Sequence, residues 1–470
     1  MKNKIKYIIL SVFISFAIIS CSEDFLNIDP EQNIPAEKAV VSENTLKTAL
    51  NGVYSELQGS DYYGRSFYVI PELMADNLFL SSRNTGRYLD FDNFVVSEED
   101  SYVEGLWDNL YVVLVNASHV IEGGEKLEGG SQEQQALFDQ LVGEAYALRA
   151  LAHFDLVRMF AQPYNFTTDA SHPGIPIINQ VNDERISPSR DNVQMVYEQI
   201  NSDLASAIIK MTASKNEGRF SVNAAHALAA RVALYQEDYE AAISHSTAVI
   251  ESGEFSLIGN AEYSSLWATD FNKESIFEII NTISDSPGFN SLGHFFVPDG
   301  YADALVPEDL INTYDPNDVR LSVIIAGTKS GAEEVANFVG KFPKGTSHDD
   351  NIKVLRMAEQ YLIRAEAYAK TNKDDLASED LQAVVIRANP DASPVTETGE
   401  DLIAKILLER RKELAFEGQR LFDLNRNKLD VEIVQGENII QATYPNEKFI
   451  LPIPLSELNA NTNMQQNPGY

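Results

Sequence analysis

The sequence predicts a mainly α-helical protein, a tetratricopeptide-like scaffold of helical hairpins carrying long irregular insertions. Apolar residues recur at spacings of three and four through several long segments. Small alanines alternate with leucine and tyrosine inside those segments, as helices that approach closely require. No run of ten or more residues alternates polar with apolar, and no glycine-rich phosphate loop follows a strand-like run.

The first pair is expected over 104–161. Leu106, Leu110, Leu114 and Ala117 line one helix, and Leu141, Ala145, Leu148, Ala152, Leu156 and Phe160 line the next. Gly123, Gly124, Gly129 and Gly130 are read as bracketing the turn, giving helices over 104–121 and 133–161. The second pair, 222–251, carries Val222, Ala225, Ala229 and Val232, then the turn Gln236-Glu237-Asp238, then Ala242 to Val249. The third, 354–388, carries Ala358, Leu362, Ala365 and Tyr368, a turn from Thr371 to Asp375, and Leu381, Val385 and Ala388. A further helix over 401–417 is expected from Leu402, Ile406, Leu407, Leu414 and Phe416, with Thr398 and Asp401 as its N-terminal cap. Between these lie stretches that read as irregular: 62–103, 162–190 with its four prolines, 284–325 and 326–351.

The N-terminus reads as a processing signal. Lys2, Lys4 and Lys6 precede an apolar run from Tyr7 to Ile19, which as a helix spans roughly 20 Å, short of the roughly 30 Å hydrocarbon core. Cys21, the only cysteine of the chain, follows the run directly. Residues 1–20 are therefore expected to be a lipoprotein signal peptide and Cys21 the acylated residue, with 21–470 one domain.

Composition excludes several classes. The 470 residues hold 36 Lys and Arg against 70 Asp and Glu, a formal charge of −34. Nucleic acid and anionic lipid would repel such a surface. Removing the signal takes three lysines and leaves −37. The single cysteine cannot form an intramolecular disulfide or a multi-cysteine zinc site. Seven histidines form no HExxH, and the isolated helical ones, His119 and His153, read as core or surface residues. Asp315, Asn317 and Asp318 lack the glycine and the bidentate glutamate of a calcium loop and read as a cap. No catalytic constellation, cofactor motif or metal site is expected.

Five blocks, in order, carry a resemblance. Residues 409–426 contain Arg411, Glu413-Leu414, Glu417-Gly418, Arg420, Asp423-Leu424 and Arg426. Pro452-Ile453-Pro454 with Glu457, and Gln466-Asn467-Pro468-Gly469-Tyr470, close the chain. Upstream stand Gly143-Glu144-Ala145, Arg149-Ala150 and Phe154 to Arg158, then Arg356 to Glu359 with Ala365-Glu366-Ala367. This pattern resembles the SusD/RagB outer-membrane nutrient-binding lipoproteins. The resemblance implies a SusD-like α-α superhelix and an outer-membrane, lipid-anchored protein facing the cell exterior. It also implies an oligosaccharide ligand, a SusC-like TonB-dependent transporter as partner, and no catalysis. It leaves open a RagB-like peptide binder and a surface glycoside hydrolase.

The residues themselves read first as scaffold. Arg411, Glu413, Glu417, Arg420 and Asp423 are expected to form an ion-pair lattice that holds their helix to the bundle. Sugar recognition needs flat rings beside groups that read hydroxyls, and two irregular stretches supply them. The first holds Asp76, Asn77, Arg83, Arg87, Tyr88 and Phe91; the second holds Phe289, Asn290, His294, Phe296 and Tyr301. The two tryptophans, Trp107 and Trp267, sit beside helical segments, and Trp107 is expected to pack between helices.

Overall fold

Where small residues and leucines alternate, the chain builds long paired helices. The computed structural model describes residues 39–181, 186–329, 331–332, 334–435 and 438–470. The expected signal peptide and Cys21 lie outside the described residues. In chain order the first seven helices are α1 (Glu43–Leu57), α2 (Ser66–Leu73), α3 (Ser101–Glu125), α4 (Gln132–Phe160), α5 (Val193–Lys210), α6 (Val222–Tyr235) and α7 (Tyr239–Ile250). Three short ones follow, α8 (Tyr263–Leu266), α9 (Leu292–Phe296) and α10 (Glu308–Ile311). The last five are α11 (Met357–Lys370), α12 (Asp374–Ala388), α13 (Gly399–Leu414), α14 (Arg420–Arg426) and α15 (Leu455–Ala460).

The scaffold is a succession of antiparallel neighbours: α3 on α4, α4 on α5, α6 on α7, α11 on α12, with α11 also against α7 and α13. Glycine and alanine set the spacing. A Cβ on Gly124 would lie 2.5 Å from a Val142 methyl, and one on Gly143 would lie 2.6 Å from Met211. Gly123 and Gly124 therefore belong to the last turn of α3, where Val40 and Val142 pack against their bare backbones. The expected turn starts later, at Lys126. N-caps begin the pairs: Ser131 accepts from the Gln134 N–H, Ser221 from that of Ala224 and Asp238 from that of Ala241.

Three boundaries differ from the sequence expectation. Val354 lies in a strand, Ile352–Arg356, so the third pair starts at Met357. Helix α13 stops at Leu414 because Phe416 and Gly418 both take positive φ, and Thr398 supplies no side-chain cap. The irregular stretch 62–103 contains α2, all of whose residues are buried. Four two-stranded antiparallel pairs complete the described structure. They are β1 (Phe79–Leu80) with β3 (Ala304–Leu305), β2 (Ser275–Ile279) with β6 (Ile352–Arg356), β4 (Ile324–Gly327) with β5 (Ala336–Val339), and β7 (Val431–Gln435) with β8 (Asn438–Ala442).

Charge is buried in this scaffold in quantity, and much of it is held in ion-pair clusters. Arg356, 1% exposed, donates to Glu274 at 2.6 Å, Glu413 at 3.0 Å and Glu417 at 2.7 Å. Arg387 and Arg320 also reach Glu413, and Lys341 reaches Glu417. A second knot joins Arg410 and Arg426 to Asp423 and Arg426 to Glu366. The lattice expected around α13 and α14 thus exists and also clamps β6, α11 and α12. Trp267 lies beneath its cations, with Lys341 4.5 Å from the ring centre. Trp107 packs edge-on against Phe160 between α3 and α4.

Candidate functional site

The two stretches rich in rings and polar groups meet on one face of the molecule. Helix α9, capped by Ser291, carries His294. Its neighbour is the loop holding Gly345 and His348, and the two can touch only because both contacting residues are glycine. A Cβ on Gly293 would sit 2.9 Å from the Gly345 Cα, and one on Gly345 would sit 2.6 Å from the Gly293 carbonyl oxygen. His294 Nδ1 donates to the Gly345 carbonyl at 3.2 Å. A carbonyl can only accept, so the hydrogen lies on Nδ1 and Nε2 is left as an acceptor.

Around His294 the rings stand edge to face: Tyr301 at 4.7 Å, His348 at 5.0 Å and Phe289 at 5.2 Å between centroids. Phe289 also meets His348 at 5.0 Å, and it is 67% exposed. From the first stretch the Arg87 guanidinium lies over the Tyr301 ring, 3.5 Å from its centre. Behind it Asp303, fully buried, is 3.7 Å from Arg87 and also from Lys329, and accepts from Thr85. Arg65 ties the halves together, donating to the Tyr88 hydroxyl at 2.9 Å and to Asn290 at 3.1 Å.

Electrostatics keep the ledge versatile. Partial burial pushes the His294 pKa down, and the positive fields of His348 and Arg87 add to this. At neutral pH it is an uncharged imidazole with one donor and one acceptor. Tyr88, beneath, is pushed up to about 12, chiefly by burial, and stays a neutral phenol. The arrangement offers ring faces and edges, a guanidinium and a neutral imidazole, with the Ser291 hydroxyl 3.5 Å from His348 Nδ1.

Of the residues expected from sequence, Arg87, Phe289, Asn290, His294 and Tyr301 come together here. Tyr88 and Phe91 are buried beneath them, with Tyr88 stacked on Tyr102 at 4.0 Å. Phe296 is buried against Phe342. Arg83 is exposed at the margin, where its carbonyl accepts from Lys329. Asp76 and Asn77 lie in the lattice instead: Asp76 accepts from Arg420 and Arg411, and Asn77, buried, donates to Glu72. Their side chains are taken up by α13 and α14, which the local sequence could not reveal. His348, Arg65 and Tyr102 were not singled out, because only the fold brings them to this face. His153 is a buried core residue whose Nε2 accepts from the Ile178 N–H. Asp315 and Asp318 cap the loop, as expected.

A separate groove of about 500 Å³ runs along α3, walled by Trp107, Tyr111, Val112, Val115 and Ile178, with Asp108 and Glu457 at its edge. Its walls are largely apolar, with Asn116 and the two carboxylates as polar groups. Among the described residues no helix is long and apolar enough to cross a membrane.

The helical-hairpin scaffold thus displays rings and polar groups on its insertions, a candidate binding surface. The comparisons with known proteins are specific. Residues 335–470 match the SusD family, and residues 24–234 match a SusD-like family described as starch-binding associating with outer membrane. SusD-like protein P38 of Formosa agariphila is 26% identical over 98% of both chains. A putative sugar binding protein from Bacteroides vulgatus superimposes with a TM-score of 0.84 at 30% identity, covering 92% of this chain and 99% of that one. A SusD superfamily protein from Bacteroides thetaiotaomicron gives 0.85 at 28% identity, covering 91% and 100%. The chain belongs to the SusD family.

Proposed function

We propose that this protein is a cell-surface lipoprotein that binds oligosaccharides and delivers them to a SusC-like TonB-dependent transporter, without catalysis of its own. The ledge of Phe289, His294, His348, Tyr301 and Arg87 carries this reading. Sugar rings present C–H faces that pack on aromatic rings, and their hydroxyls both donate and accept, as a neutral imidazole and a guanidinium with a fixed partner can answer. The family description, starch-binding, and the printed name of the Bacteroides vulgatus structure, sugar binding, support the same ligand class. Acyl chains on Cys21 anchor the protein to the outer membrane with the ledge facing outward. The test is calorimetry of the mature protein against a panel of oligosaccharides and peptides. Glycan heat that disappears in F289A and R87A supports the reading; heat from peptides with none from any glycan overturns it.

A further inference from the structure

The ledge has a cationic end. The Arg87 Nη1 and the Lys329 Nζ each lie 3.7 Å from the Asp303 carboxylate, and Lys329 donates to the Arg83 carbonyl at 2.7 Å. Arg65, 4% exposed, adds a fourth charge and gives its hydrogen bonds to neutral groups, the Tyr88 hydroxyl and Asn290. Among the described residues neither Arg65 nor Arg83 is joined to a carboxylate, and the exposed Asp299 pairs with none of the four. The lattice shows the opposite ratio, with Arg356 facing Glu274, Glu413 and Glu417. So does the His348 side of the ledge, where Asp349 and Asp350 follow that residue and Lys344 is taken up by Asp270.

These cations keep donors to spare. Among the described residues the Arg87 guanidinium gives one hydrogen bond, to Thr85, and that of Arg83 gives none, out of the full fork of N–H groups each carries. Asp303 does not use them up. Its 3.7 Å separations exceed the roughly 2.7–2.9 Å of a charge-assisted hydrogen bond. It is fully buried, its oxygens are engaged by Thr85, and the Arg87 and Lys329 side chains above it are 20% and 19% exposed. At 3.5 Å from the centre of the Tyr301 ring, the Arg87 guanidinium lies flat on that ring. Its N–H groups therefore point along the ledge, in the plane that takes a carboxylate or a sulfate through paired hydrogen bonds.

We propose that the ligand of the ledge is an acidic oligosaccharide, and that Arg83, Arg87 and Lys329 form a subsite for its carboxylate or sulfate while Tyr301, His294 and Phe289 pack on its sugar rings. This rests on the reading of the ledge as a glycan site and narrows the substrate class. The charge of −37 on the mature chain does not forbid it. At physiological ionic strength exposed charges are screened beyond about 8 Å, so the cations in contact with the ligand outweigh the carboxylates of the distant surface.

The experiment titrates the mature protein by calorimetry with oligogalacturonates and sulfated galactan oligomers, each beside its neutral counterpart, carboxyl-reduced or desulfated. At least one acidic probe should bind about tenfold or more tighter than its counterpart, and which of the two does so tells carboxylate from sulfate. That advantage should shrink several-fold as NaCl rises from about 0.05 to about 0.5 M. It should fall to about threefold or less in the double variant R83Q/K329Q, while F289A weakens acidic and neutral probes alike. A neutral probe whose heat disappears in F289A, with no acidic counterpart binding tighter, overturns the anionic subsite and leaves the glycan reading standing. An acidic advantage that keeps its wild-type size in R83Q/K329Q, with melting curves showing that the variant folds, overturns it as well. Heat from no saccharide removes the glycan reading and this inference with it.

Discussion

Arg356 on β6 and Glu413 on α13 lie 3.0 Å apart, both buried, and Glu413 is shared with Arg387 and Arg320. Burial alone would push the Glu413 pKa up, but these guanidiniums and Lys341 hold it well below the usual carboxylate range. One carboxylate thus neutralises cations from three separate elements. Replacing it leaves several buried charges short of a partner, so E413Q should cost about 3–5 kcal/mol of unfolding free energy. Chemical denaturation measures this. A loss below about 1 kcal/mol would mean that the lattice is not what holds α13 in place.

Acid should unfold the protein through the same groups, with an opposing slope near neutrality. Asp423, despite burial, is held down to about 2 by Arg410 and Arg426, and Glu417 is held below its ordinary value by Arg356 and Lys341. A depressed carboxylate contributes stability that is present above its unfolded pKa, near 4, and is lost as pH falls through the folded value. Asp350 behaves oppositely, because burial raises it to about 7 against the help of Lys344. There the folded state takes up the proton first, so falling pH favours folding between about pH 7 and 4. Denaturation midpoints should therefore rise modestly from pH 8 to 6 and drop below pH 4. D350N should remove the first slope and keep the second; a D350N profile identical to wild type would refute the assignment.

Anchoring is tested separately from folding. Cys21→Ala removes the one thiol and leaves 39–470 untouched, so the variant should fold normally and leave the membrane fraction. Fractionation with protease shaving of whole cells reads both anchoring and the outward orientation. Retention of Cys21→Ala in the outer membrane would exclude the lipid as the anchor.

Helices with strong local periodicity were legible in the sequence. The 3.6-residue repeat of leucine and alanine located α3, α4, α6, α7, α11 and α12 to within a few residues. Gly123 and Gly124 misled because a glycine that admits a neighbouring helix is locally indistinguishable from one that makes a turn. Val354 and Leu355 misled because a two-strand pairing with 275–279 is set by a segment far away in sequence. At the ledge, residue types were readable on both stretches, but their assembly rests on the Gly293–Gly345 contact. The removal of Asp76 into the lattice rests on Arg420, 344 positions further on. Residue chemistry is local; which partner claims it is not.

That glycine contact allows the ledge to be tested apart from its rings. In G345A a methyl meets the Gly293 carbonyl oxygen at 2.6 Å and a Val297 methyl at 2.8 Å, and the backbone oxygen cannot swing away. The 344–348 loop must move off α9, which separates His348 from His294 and withdraws the acceptor of His294 Nδ1. The overpacking should cost about 1–3 kcal/mol of stability, a loss the whole scaffold tolerates. If the ledge binds the ligand, affinity in G345A falls together with that of R87A and F289A, each by about fivefold or more. Phe289 is exposed, so F289A should melt as wild type does. V112D, in the groove along α3, should bind as wild type does. Calorimetry with whichever oligosaccharide the panel identifies decides it: loss in V112D with full binding in G345A, R87A and F289A would move the site from the ledge to the α3 groove.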